Sequence, residues 1–347
     1  MAMTFSLFVH MERFDPNQSH DEIYEQFIEL CTMADAGGFE MIWVGEHHAM
    51  DFTIAPNPFV QIADLAHRTH RVRLGTSSIV APFWHPIKAA GEAAITDIIT
   101  GGRLELGIAR GAYSFEYERL LPGLDAKEAG LRMRELVPTL RPLWAGNYTH
   151  DGHYWKFPKS SSAPKPLQDQ GPPIWIAARD PASHKFAVES GCNVQVTPLG
   201  LGDEEVVSLM ERFNTACANA PQVKRPKIMV CRHLFTGETE AELEQAGRDL
   251  SRFYCTFDAW FKNQRPVDHG IIEPMTDADC ATLPQYAPEK MRANNIVGTP
   301  DEVITRLKQY EAWGYDQFSY WIDTGMSHAV KKKALARFID RVLPAFA

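Results

Sequence analysis

Residues 37–48, Gly37-Gly38-Phe39-Glu40-Met41-Ile42-Trp43-Val44-Gly45-Glu46-His47-His48, decide how the fold is read. Two glycines stop whatever precedes them, and Met41 to Val44 then forms a short apolar run of the kind that makes a buried strand. A carboxylate and two imidazoles follow at once. Titratable groups at the C-terminal end of a buried strand point to a parallel α/β fold, where that end of the sheet meets ligand. The triad reads as a catalytic or cofactor site, with structural hydrogen bonding in a loop as the plain alternative. Adjacent residues on an extended segment face opposite ways, so His47 and His48 are poorly placed to share one ion, and no metal site is expected.

Outward from that stretch the chain alternates strand and helix. Thr4 to His10 reads as a first strand and Ser19 to Ala36 as an amphipathic helix stopped by Gly37-Gly38. After the opening strand come a helix from Asn57-Pro58 to Ala66, a strand from Val72 to Ser78, a helix from Pro86 to Ile99 and a strand from Leu104 to Ile108. Leu131 to Trp144 is helical, and Gly146 to Pro173 is an excursion holding a small hairpin. Strands are expected at Ile174 to Ala178, Asn193 to Val196, Ile228 to Phe235 and Phe318 to Ile322. Helices are expected over 183–190, from Asp203 to Asn219, from Thr239 to Phe261, from Pro300 onward and, as a basic helix, from Lys331 to Arg341. Residues 262–290 lose all periodicity and form a second excursion.

Eight strands separated by helices predict a (β/α)8 TIM barrel with insertions, as one domain over 1–347. The competing doubly wound sheet asks for a glycine fingerprint after an early strand, and the loop after the first strand here has no glycine.

The chain has 347 residues, 45% of them hydrophobic, so it can bury a full core. A net charge of −9 disfavours nucleic acid as a partner, and no stretch has the length of a membrane span. The six scattered cysteines and the lack of a signal-like N-terminus predict a cytoplasmic protein with free thiols.

Three other strand ends carry chemistry. Gly75-Thr76-Ser77-Ser78 offers small residues on which a flat ring can lie, or against which a helix can pack tightly. In Ala109-Arg110-Gly111-Ala112 the arginine suits a bidentate anion clamp, the alternative being a structural ion pair. At Arg179-Asp180-Pro181-Ala182-Ser183 a helix starts with Asp180 as cap, and its free amides with the Ser183 hydroxyl suit an anion. A capping carboxylate repels phosphate, so Asp180 must turn away or pair with Arg179; a plain capped helix is the alternative. His10 and His85 also lie near strand ends, as mouth residues or as ordinary hydrogen-bonded histidines; of Phe8, Trp43, Phe83, Trp84, Tyr113, Phe115 and Trp321 some fill the barrel, and those beyond the strand ends build an apolar pocket.

Taken together these motifs resemble the bacterial luciferase superfamily of flavin-dependent monooxygenases. The resemblance rests on Gly38-Phe39 to Trp43 with Glu46-His47-His48, on Asn57-Pro58, and on Gly75-Thr76-Ser77-Ser78-Ile79-Val80 with His85-Pro86. Gly102-Arg103-Leu104 through Gly107 to Gly111 and Val297-Gly298-Thr299-Pro300 complete it.

It implies a barrel that takes reduced FMN from a partner flavin reductase and reacts it with O₂. A C4a-peroxyflavin then oxygenates a small apolar or aromatic substrate. His47 matches the catalytic histidine, and Glu46 the carboxylate beside the flavin. Ser77-Ser78 matches a pair joined by a cis peptide under the ring, Arg110 the phosphate arginine, and Arg179 to Ser183 the phosphate loop. Ala109 and Ala178 adjoin these cofactor contacts. Luciferases carry a cysteine at Ala109 and an acidic residue at Arg179. The resemblance further implies a homodimer through the early helices and a lid at 262–290. A deazaflavin-dependent dehydrogenase and a non-catalytic flavin-binding protein are the alternatives on the same barrel.

Overall fold

The structure, a computed structural model, describes residues 2–51 and 53–346; Met1, Phe52 and Ala347 lie outside the described residues. Eight parallel strands close into a barrel: β1 (Thr4–Val9), β2 (Met41–Val44), β3 (Arg73–Thr76), β4 (Leu104–Ala109), β5 (Ile174–Ala177), β6 (Asn193–Val196), β7 (Ile228–Thr236) and β8 (Gln317–Trp321). Each pairs with the next, and the ring closes where β8 meets β1, with Phe8 opposite Trp321. This is the expected (β/α)8 architecture.

The longer helices are α1 (His20–Gly37), α2 (Pro58–Arg68), α3 (Pro86–Ile99), α4 (Ala126–Ala145), α5 (Pro181–Glu189), α6 (Asp203–Ala218), α7 (Glu240–Phe261), α8 (Pro300–Trp313) and α9 (His328–Arg337). Their ends follow local chemistry. The Ser19 side chain accepts the Glu22 amide to open α1, and Gly38 takes a left-handed φ of 95° to close it. In α8, Thr299 and Glu302 cap each other reciprocally behind Pro300.

Alternation along the strands divides the core in two. Phe5, Leu7, Ile42, Val44, Leu74, Leu106 and Ile176 pack outward with the helices. Phe8, Met41, Trp43, Trp175, Met229 and Trp321 belong to an inner cluster that continues into Phe253, Tyr254, Phe257 and Trp260 of α7. Gly75 makes room for the largest inner ring, since a Cβ there would stand 2.2 Å from Trp43. At the barrel floor Arg73 pairs with Glu105 at 2.6 Å, and the Trp175 indole donates to the same carboxylate at 2.5 Å.

Several boundaries differ from the sequence reading. The strand expected from Val72 to Ser78 ends at Thr76, and Ile79–Val80 pairs with β4; between them the Ser77–Ser78 peptide is cis. Helix α4 begins at Ala126, where Asp125 accepts the Glu128 amide, five residues before apolar periodicity announces it. A short helix, Ser114–Leu120, and a three-residue strand, Ile296–Gly298 beside β7, carry no periodic signal. The basic helix expected from Lys331 starts at His328, and Lys331 lies inside against Asp323 at 2.5 Å. Between α4 and β5 lies the antiparallel hairpin Tyr148–Asp151 with Lys156–Ser160. Residues 262–290 hold the small hairpin Val267–Asp268 with Ile271–Ile272 and the short helix Asp277–Ala281. Among the described residues no helix is long and apolar enough to cross a membrane.

Candidate active site

The residues singled out at strand ends gather at the C-terminal mouth. After β2, Glu46 is buried, with both carboxylate oxygens engaged. One accepts the Val80 amide at 2.7 Å and the Trp84 indole at 2.8 Å, and the other faces His48 Nε2 at 2.7 Å. Glu46 thereby ties the loop after β2 to the segment after β3. Burial depresses the His48 proton affinity, but the adjoining Glu46 and Glu116 carboxylates outweigh it and the pKa rises.

His47 meets a partner that the sequence reading missed. Its Nδ1 lies 3.2 Å from Glu116 Oε1, which also accepts the His48 amide at 2.7 Å. A carboxylate that accepts from both places the His47 proton on Nδ1 and leaves Nε2 as the basic nitrogen. Glu116 sits on the short helix after β4, and among Glu116 and Glu118 no pattern marks the buried one. The His47 ring also packs edge-on to Tyr113, centroids 5.0 Å apart, and to His10 at 5.6 Å.

After β3 the cis pair Ser77-Ser78 is half-buried, and the Ser78 hydroxyl donates to Gln195 of β6 at 2.9 Å. After β4, Ala109 is partly covered and Arg110 is exposed. Arg110 donates to the Ala126 carbonyl at 3.0 Å, and among the described residues no carboxylate pairs with it, so the structural ion pair is not formed.

After β5, Ala178 is buried and donates its amide to Gln195 at 2.9 Å. Asp180 caps α5 by accepting the Ser183 amide at 2.9 Å. The Ser183 hydroxyl accepts the Arg179 amide at 3.0 Å and donates to the Asp180 carbonyl at 2.7 Å. Burial pushes the Asp180 carboxyl up, but these hydrogen bonds prevail and hold it low. The chain's own carboxylate therefore occupies this helix start, unpaired with Arg179, whose carbonyl accepts from Arg212 at 2.7 Å.

Across the mouth, β1, β7 and β8 bring together His10, His233 and Trp321. His233 stacks on Trp321 at 4.0 Å, and Tyr254 lies 2.9 Å from its Nδ1. Burial, with Arg232 and Lys331 adding to it, pushes His233 down to about 3. Burial together with His47 and His233 also lowers His10, which thus joins the mouth as a neutral ring. His85 does not join; it caps α3. An open cleft of about 320 Å³ runs beside Glu46 and His48, walled by Phe83, Trp84 and Leu121.

A closed parallel barrel with titratable groups gathered at one mouth is the architecture of a barrel enzyme. The chain belongs to the family of luciferase-like monooxygenases, whose family model matches residues 3–317. It is 59% identical over 344 residues to the oxygenase component of the flavin-dependent trigonelline monooxygenase of Acinetobacter baylyi, covering 99% of this chain and 96% of that one. Among solved structures it resembles the monooxygenase RslO1 of Streptomyces bottropensis, with 26% identity, a TM-score of 0.83 and coverage of 99% and 100%. It also shares its fold with the oxygenating constituent of 3,6-diketocamphane monooxygenase of Pseudomonas putida, solved with FMN. There the identity is 20%, the TM-score 0.77 and the coverage 100% and 99%. The chain is accordingly an oxidoreductase, the oxygenase of a two-component flavin-dependent monooxygenase.

Proposed function

We propose that this oxygenase takes FMN reduced by a separate flavin reductase and oxygenates a pyridinium carboxylate of the trigonelline type. The observation that carries the reading is 59% identity to the Acinetobacter baylyi oxygenase component along nearly the full length of both chains. Trigonelline is a flat, N-methylated aromatic cation bearing a carboxylate, and the inner cluster that holds Tyr113, Phe257 and Trp321 supplies rings of the kind that bind such a cation.

The residues present suit the cofactor. Ser77, Ser78 and Ala109 leave a small-residue floor for a flat ring, and the exposed Arg110 and Arg179 provide cations for its phosphate beside Ala178, Asp180 and Ser183. Asp180, committed to its cap, orders that loop. Bound reduced flavin supplies the activation of O₂, one atom of which enters the substrate while the other leaves as water. The chain's part is placement and proton control: Glu46 locks the loop, Glu116 orients His47, and His47 Nε2 handles the proton. Segment 262–290 acts as a lid. Its Gly270 carbonyl accepts the Asp51 amide at 2.7 Å, three residues beyond His48. A second copy of the chain packs on α2 and α3, where Val60, Ile95 and Ile99 stay exposed.

The test is turnover with FMN, a reductase, NADH and trigonelline under ¹⁸O₂. One labelled oxygen in the product is the expected result. Oxygen uptake that ignores trigonelline overturns the substrate assignment.

A further inference from the structure

The polar wiring beneath the serine pair has a direction. Gln195 is buried, and its carboxamide lies against Gly107, where an added Cβ would come 2.9 Å from Oε1 and 3.0 Å from Nε2. Nε2 donates to the Thr76 carbonyl at 3.5 Å, while Oε1 accepts the Ser78 hydroxyl at 2.9 Å. Turning the amide over would set two oxygens against each other at Thr76, so that carbonyl fixes which end faces Ser78. A hydroxyl has one proton, and that of Ser78 is committed to Gln195. Toward any ligand the half-buried Ser78 oxygen then offers lone pairs alone.

The two redox states of a flavin differ in this respect. Reduced flavin carries an N–H at its central ring nitrogen, N5, and oxidised flavin has a bare acceptor there. We propose that Gln195, acting through Ser78, is a positioning residue that makes the site select reduced over oxidised flavin. This rests on the reading that the flavin ring lies at Ser77-Ser78. An acceptor held toward the ring stabilises the N–H form and opposes the bare nitrogen, because two facing acceptors leave one unsatisfied. Such selection lets an oxygenase capture the reductase's product and release spent flavin.

The test is binding. Tryptophan quenching is titrated with dithionite-reduced FMN under anaerobic conditions and with oxidised FMN in air, and the ratio of the two Kd values is the readout. The wild-type chain should bind reduced FMN more tightly. Gln195→Leu frees the Ser78 proton and should lower that preference by about tenfold, chiefly by tightening oxidised FMN. Ser78→Ala should lower it comparably, and the double variant no further than either single one.

A merely structural role for Gln195 would weaken both redox forms together and leave the ratio unchanged, which overturns the proposal. Additive losses in the double variant also overturn it. Should Gln195→Leu fail to fold, an unchanged ratio in Ser78→Ala suffices to reject it. A wild-type chain that binds neither form overturns the placement of the flavin itself, and the proposal with it.

Discussion

Around β2, β3 and β4 the polar side chains of the mouth are tied together through the carboxylates Glu46 and Glu116, whereas around β7, β8 and β1 the histidines are held neutral by burial. On the first side Glu46 accepts from Val80 and Trp84 and pairs with His48, Glu116 joins His47 to the His48 backbone, and Ser78 is bound to Gln195. On the second, His10 Nδ1, Trp321 Nε1 and Thr324 Oγ1 are buried without a partner among the described residues, as is the second oxygen of Glu116 on the first. Buried groups of that kind are tolerated when uncharged, and burial keeps both histidines neutral. One side is a frame of carboxylates and the donors they hold, and the other a pair of neutral imidazoles set beside the buried Asp323–Lys331 pair.

The contrast breaks first at His47. If the frame performs the proton chemistry, His47→Ala should lower product formed per reduced flavin by roughly 100-fold or more while leaving reduced-FMN affinity near wild type. Product yield near wild type would take His47 out of the mechanism. Glu116→Gln keeps the size of the side chain and removes its charge. The expected loss in kcat is about 10–100-fold with little change in KM, the scale of one charge-assisted hydrogen bond. An equal loss from Glu118→Gln would show that orientation of His47 is not the cause.

The two sides should also answer pH in opposite senses. His233 binds its proton less readily folded than unfolded, so its contribution is whole above the ordinary imidazole pKa of about 6.5 and shrinks as pH falls toward about 3. His10 shifts the same way. Each pH unit below about 6.5 costs up to about 1.4 kcal/mol per histidine. Denaturation midpoints measured down the acid limb should therefore fall more slowly in His233→Gln than in wild type. His48 is raised, so its contribution is whole below about 6.5 and is lost as pH climbs through the elevated value. His48→Gln should flatten the alkaline limb, a change in Tm of roughly 1–2 °C.

The smallest effect concerns one donor of the frame. Trp84→Phe removes the indole N–H on Glu46 and should cost about 1 kcal/mol in urea unfolding. No cost would mean that water replaces the indole.

Strand β2 and the triad behind it were legible because an apolar run between glycines and titratable residues is a local pattern. The helices were legible through their 3.6-residue period and caps such as Thr299-Pro300. The helix Ser114–Leu120 was not, since seven residues of mixed polarity show no period, and with it Glu116 stayed hidden. Gln195 read as one more strand residue; only barrel closure sets it under Ser78, 117 positions away. The closing helix was legible as basic, but the inward turn of Lys331 to Asp323 was not, since it depends on a buried partner.

By itself, the order of residues determined the barrel, the mouth at its strand ends and the histidine pair with its arginine, because periodicity, capping and strand-end chemistry act over a few neighbours. Tertiary structure alone decided which carboxylate orients His47, which way the Gln195 amide points and which histidines are held neutral. Those outcomes depend on burial and on partners far apart in the chain, brought within hydrogen-bond reach when the strands close into a ring.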